Sequence, residues 1–215
     1  MNNNLILAST VLVLRDLNNK LEVLMVRRSK KPPFQNLHVF PGGKIDHDDS
    51  IKELEAFTDG INDEIASNIL GIEDGGLSFW IASIRECFEE VGILLAQKKS
   101  GEKLDFISSE KTKYENYRKM LVKNEINLLE ICQKEDLVLS TVNIAPLSHW
   151  ITPNIETKRF DTRFFIAYLP ENQIVKHDEV ELTQSIWINP LDAIKKAYEG
   201  EMHMIMPTIK NLEQC

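Results

Sequence analysis

Cysteine is scarce in this chain: Cys87, Cys132 and Cys215 lie far apart and form no CxxC pair. Neither a disulfide framework nor a zinc cluster is implied, and a reducing, cytoplasmic setting is expected. Positive charge is also short. Lysine and arginine number 25 against 33 aspartates and glutamates, a formal net charge of −8. A large nucleic-acid surface on a protein of this size calls for a basic balance, so nucleic acid is not an expected partner. Long apolar runs are missing too. The opening MNNNLILASTVLVLR has no basic leader, and Ser9-Thr10 interrupts its apolar stretch, so neither a signal peptide nor a membrane span is expected. The five histidines are dispersed, and the chain has no internal repeat and no low-complexity linker. Acidity does not exclude a small phosphorylated substrate, because a bound cation reverses the local sign.

What is present is a chain of 215 residues, 43% hydrophobic, long enough for one core. A single domain over residues 1–215 is expected. Two β-rich runs flank Asn18-Asn19 and predict an antiparallel hairpin of residues 5–15 and 20–28. Residues 50–77 are acidic, with apolar positions spaced for one or two short helices, and residues 78–96 form the strongest helix candidate. Two more helices are predicted within 108–134, and strands at 147–153, 159–170 and 179–190. A last helix runs from Pro190 to Gly200. The fold class is therefore α+β.

Two stretches carry the chemistry. Pro41-Gly42-Gly43 is a turn that runs into acids, and without Cβ atoms it can bring backbone close to another group. On a helical wheel, Ile81, Ile84, Phe88, Val91 and Leu95 form one apolar stripe. Glu86, Glu89 and Glu90 fall together on the opposite side. Such a face is either a solvated acidic surface, with Arg85 paired to Glu89, or an oxygen-donor set for a hard dication such as Mg²⁺.

The run R-E-C-F-E-E-V-G-I (85–93), with Pro41-Gly42-Gly43 ahead of it, resembles the Nudix box G-x5-E-x7-R-E-U-x-E-E-x-G-U, in which U is apolar. Two departures stand out. Counting from Gly43, the box's first Glu falls on Asp49. Its Arg would fall at position 57 but stands at 85, so about 28 residues are inserted. The spacing leaves open whether Asp49 still partners Arg85. "HVFPGG", "SHWITP" and "KRFDTRFF" extend the similarity to a split-box branch that includes a peroxisomal coenzyme A diphosphatase and its bacterial relatives.

The resemblance implies an α/β/α sandwich around a mixed sheet, with insertions at about 50–77 and 97–140. It implies hydrolysis of a diphosphate linking a nucleoside to another moiety, with coenzyme A or acyl-coenzyme A leading. ADP-ribose, NADH, nucleotide sugars and dinucleoside polyphosphates are rivals, and a non-catalytic nucleotide-sensing module is the alternative of another class. Glu86, Glu89 and Glu90 would hold Mg²⁺ or Mn²⁺ with the Gly42 carbonyl, and Arg85 would orient them. Nudix enzymes often use one more acid outside the box, and Glu179 and Glu181, which precede the strand ending at Trp187, are the candidates here, with Glu181 favoured. Arg27, Arg28, Gly43, Lys158, Arg159 and Arg163 are candidates for binding a small diphosphate substrate, and a homodimer is left open. The insertion's acids, Asp59, Asp63 and Glu64 among them, are expected to face solvent or a second subunit, away from the bound diphosphate.

Overall fold

The computed structural model describes residues 5–29, 36–108, 110–176 and 182–215. Strand β1 (Ile6–Leu17) turns through Asn18-Asn19 into β2 (Lys20–Arg28). Both asparagines have positive φ, 55° and 61°, which suits a tight hairpin turn. The short strands β3 (His38–Val39) and β4 (Gly42–Lys44) follow. β1 pairs antiparallel with β2 over Leu14–Leu17 and with β4 over Ala8–Thr10, while β3 pairs with the far end of β2. The glycine turn thus fills the fork where β2 leaves β1.

A 3₁₀ turn (His47–Ser50) leads into a second (Lys52–Phe57) and α1 (Asp63–Leu70), in the stretch where the first insertion is expected. Helix α2 (Leu77–Val91) is closed by a left-handed turn at Gly92, φ 74°, and so ends five residues before the predicted end at 96. After it, β5 (Ala96–Lys98), α3 (Lys111–Val122), α4 (Leu128–Glu135) and β6 (Leu137–Leu139) occupy the stretch where the second insertion is expected, with β5 and β6 as a separate two-stranded ladder. β7 (Ile144–Ile151) and β8 (Phe160–Tyr168) return to the main sheet, where β8 pairs parallel with β1. β9 (Leu182–Ile188) pairs with β2, and α5 (Pro190–Tyr198) and α6 (Met206–Leu212) end the chain. The sheet is mixed, as the resemblance implies.

Both sheet faces are covered, which explains the unbroken apolar runs in β1 and β2. Val11, Val13, Leu24 and Val26 pack toward α2, whereas Leu12, Leu14, Val23 and Met25 join a second core with α5 and α6. Buried side chains fix α2 to the sheet. Ser9 Oγ donates to Phe79 O at 2.6 Å, and Trp80 Nε1 donates to Ile144 O at 2.9 Å. Phe164 and Phe165 are core residues.

Two of the acids expected to face solvent or a second subunit are instead bonded within the chain. Asp63 accepts from the backbone N–H groups of Gly75 and Leu77, and Asp59 accepts from Thr141 Oγ1 and the Val142 N–H. Donors at the start of α2 lack partners within the helix, and a carboxylate there complements the helix dipole. Asp63 therefore ties α1 to the start of α2. No helix among the described residues is long and apolar enough to cross a membrane.

Candidate active site

The acidic face of α2 is turned inward. Glu90 is buried, and the Glu86 and Glu89 side chains keep only 14% and 19% of their exposure, which removes the solvated-surface reading. An inward acidic face needs compensation, and Arg85 supplies it. Its guanidinium forks onto Asp49, with Nε to Oδ1 at 2.8 Å and Nη2 to Oδ2 at 2.9 Å. Nη1 donates to Glu86 Oε1 at 3.0 Å and to Glu89 Oε2 at 3.1 Å, and Nη2 also reaches Lys44 O at 2.8 Å. The inserted segment therefore loops out and returns Asp49 to Arg85. Asp49 is held in turn by a capping box, its Oδ2 accepting from the Asp46 N–H at 2.8 Å.

The glycine turn is fitted to this cluster. A Cβ on Gly42 would lie 2.5 Å from Ser9 O and 2.6 Å from Thr10 Cα, so β4 can pair this closely with β1 only without a side chain. A Cβ on Gly43 would strike the Glu86 carboxylate. Gly42 N–H donates to Glu90 Oε2 at 3.0 Å, and Arg28 Nη1 stands 3.9 Å from Glu90 Oε1. Gly42, Gly43, Arg28, Arg85, Glu86, Glu89 and Glu90 are thus gathered in one place.

Burial pushes the Glu86 carboxyl well above the usual carboxylate range, with Arg85 opposing the rise and Glu89 reinforcing it. Burial raises Glu89 as well, again against Arg85. Raised carboxyls hold their protons more tightly, and a dication taking the proton's place would restore the charged form. The oxygen-donor set suits Mg²⁺ or Mn²⁺. Among the described residues, however, no group of three or more Asp, Glu, His or Cys side chains is already gathered as a cage. Glu86 and Glu89 lean on Arg85, and Glu90 leans on Gly42.

The other candidates are placed elsewhere. Arg27 shares its sheet face with Val23 and Met25 and pairs across strands with His38, so it faces away from the carboxylates. Arg163 lies on β8, where Nη1 donates to Leu70 O at the end of α1 and the guanidinium stacks 5.9 Å over Phe79. Arg159 Nε donates to Thr152 O at 2.9 Å, and Lys158 lies 5.4 Å over the Phe160 ring, both in the β7–β8 connection. Glu179 and Glu181 fall outside the described residues. A cavity of about 200 Å³ lies between the end of α2 and α3, lined by Phe88, Phe106, Tyr114, Arg118, Ile174 and Val175.

Cys87 sits in the box but is fully buried, and burial lifts its thiol far above the usual range. Thiolate is the reactive form. Cys87→Ala is therefore expected to keep near wild-type turnover, and the native protein to resist a thiol reagent at this position. Loss of turnover in folded Cys87→Ala would point to thiol chemistry instead.

This fold, with its glycine turn and inward Arg-Glu helix, defines a Nudix domain. The profile of the NUDT19 Nudix domain matches residues 62–215, and the chain belongs to that family. It is 26% identical over 206 residues to the acyl-coenzyme A diphosphatase NUDT19 of Xenopus laevis, covering 81% of this chain and 54% of that protein. The Gallus gallus protein of the same name is 24% identical over 226 residues, covering 89% of this chain and 60% of the relative. The chain thus spans little more than half the length of these relatives. Among solved structures, a Nudix hydrolase from Alicyclobacillus acidocaldarius superposes with a TM-score of 0.80 at 24% identity, covering 99% of this chain and 91% of that one. The Nudix domain of Shewanella oneidensis NrtR, complexed with ADP ribose, gives 0.52 at 13% identity, covering 99% and 86%, and shares the fold alone.

Proposed function

We propose that this chain is a metal-dependent diphosphatase whose preferred substrate is coenzyme A or an acyl-coenzyme A. The observation that carries the reading is the buried acidic face of α2, on which Arg85 holds Glu86 and Glu89 while the Gly42 N–H holds Glu90. The names of the curated relatives favour coenzyme A over other diphosphates.

Water attack on a diphosphate is slow because anionic oxygens repel the nucleophile. Bound Mg²⁺ or Mn²⁺ supplies neutralising charge and lowers the pKa of water. Glu86, Glu89 and Glu90 would hold it, with the Gly42 carbonyl as a further donor. Arg85 orients Glu86 and Glu89 and keeps their side chains from swinging into solvent, while Arg28 places positive charge beside Glu90. Hydrolysis of coenzyme A would release 3′,5′-ADP and 4′-phosphopantetheine, or its acyl form. Glu181 is proposed as a further acid.

The test is a panel of diphosphates with Mg²⁺ or Mn²⁺, read by product identity. Coenzyme A is expected to lead, with dephospho-coenzyme A lower in kcat/KM by about ten- to a hundredfold, since a charge-assisted phosphate contact is worth roughly 1.5–3 kcal/mol. Arg159, with Lys158 beside it, is proposed to read the 3′-phosphate, so Arg159→Ala should erase that preference and spare dephospho-coenzyme A. Faster cleavage of ADP-ribose, NADH, a nucleotide sugar or a dinucleoside polyphosphate would overturn the coenzyme A assignment. Binding of ADP-ribose without cleavage of any member would make the domain a nucleotide sensor.

A further inference from the structure

The last four carbonyls of an α-helix have no partner within the helix. In α2 they belong to Phe88, Glu89, Glu90 and Val91. Gly92 N–H donates to Phe88 O at 3.0 Å, and Lys176 N–H donates to Val91 O at 2.9 Å. The other two are carbonyls of candidate metal-binding residues, and one side chain from the second insertion takes both. Arg118 of α3 donates from Nε to Glu89 O at 2.8 Å and from Nη2 to Glu90 O at 2.9 Å. Its Nη1 donates to Lys176 O at 2.6 Å.

This arrangement answers an electrostatic problem. Glu89 and Glu90 occupy the last turn, where the helix dipole is negative and carboxylates are unfavourable. The Arg118 guanidinium brings positive charge to that end. It also binds the turn to the segment before β9, whose position is set independently: Gln173 exchanges two hydrogen bonds with the Leu94 backbone, each 2.9 Å. Terminal helical turns fray readily unless their backbone groups are held.

We propose that Arg118 is a positioning residue that fixes the last turn of α2, and with it the aim of Glu89 and Glu90, so that the α3 insertion sets the geometry of the carboxylate site. Its effect on turnover rests on the diphosphatase reading; its effect on the helix does not. Three contacts from one planar fork cannot be copied by an ammonium, so lysine should restore charge but only part of the geometry.

The experiment compares wild type with Arg118→Met and Arg118→Lys by amide hydrogen exchange and by kcat and KM on coenzyme A, at a temperature where all are folded. Faster exchange is expected in residues 88–92 with residues 77–84 unchanged, together with a kcat about tenfold lower in Arg118→Met, little change in KM, and a partial recovery in Arg118→Lys. Unchanged exchange in the last turn would overturn the proposal. So would faster exchange with wild-type kcat, which is what a purely structural contact would give. Should Arg118→Met not fold, Arg118→Lys decides by the same two readouts. If wild type itself cleaves no diphosphate, the diphosphatase reading falls and catalytic positioning with it, while exchange still reports whether Arg118 holds the turn.

Discussion

Glu90→Gln, assayed at saturating Mg²⁺, is expected to retain about a hundredth or less of wild-type kcat, because removing charge stabilisation that acts in the transition state commonly costs that much. The substitution is chosen to spare the fold. The amide oxygen can still accept from Gly42 N–H, which now meets Glu90 Oε2 at 3.0 Å, so β4 should stay docked on α2. What is lost is the negative charge, and with it the hard ligand proposed for the metal. Glu89→Gln should behave similarly, since its bond to Arg85 Nη1 at 3.1 Å can be made by an amide oxygen. A circular dichroism melt should show both variants folded. Near wild-type turnover in both would overturn the proposal that Glu89 and Glu90 hold the metal.

Much of this site was legible in the sequence because its geometry is local. The carboxylates at 86, 89 and 90 share a helix, and the i, i+3, i+4 relation places them together without knowledge of the rest of the fold. The β1–β2 hairpin was legible for the same reason: two β-rich runs meet at Asn-Asn. Three features were not. The direction of the acidic face depends on what packs against it, and a wheel does not distinguish water from β4. The Asp49–Arg85 fork closes across the whole first insertion, so spacing along the chain left it open while the fold brings the ends together. Arg118 lies in a polar helix with nothing in its neighbours to mark it; its role appears only when each carbonyl at the end of α2 is accounted for.

Arg85→Met is expected to lower stability by roughly 3–5 kcal/mol, the usual result of removing one partner from a buried ion pair. The Asp49 side chain is 1% exposed, and without Arg85 its charge has neither water nor a cation to meet. Glu86 and Glu89 would then repel one another with no guanidinium between them. For a chain of this size the loss corresponds to a fall in Tm of roughly 6–20 °C. Arg85→Lys should fall between, because one ammonium cannot serve both Asp49 oxygens and both glutamates. A denaturant titration measures the loss, and a change below about 1 kcal/mol for Arg85→Met would mean that the cluster tolerates its own charge. The double variant Arg85→Met, Asp49→Leu separates two roles of this arginine. Exchanging both members of a buried pair for apolar groups is often neutral, so the double variant should regain much of the stability lost in Arg85→Met. Turnover should not return with it, because Glu86 and Glu89 would still lack the nitrogen that aims them.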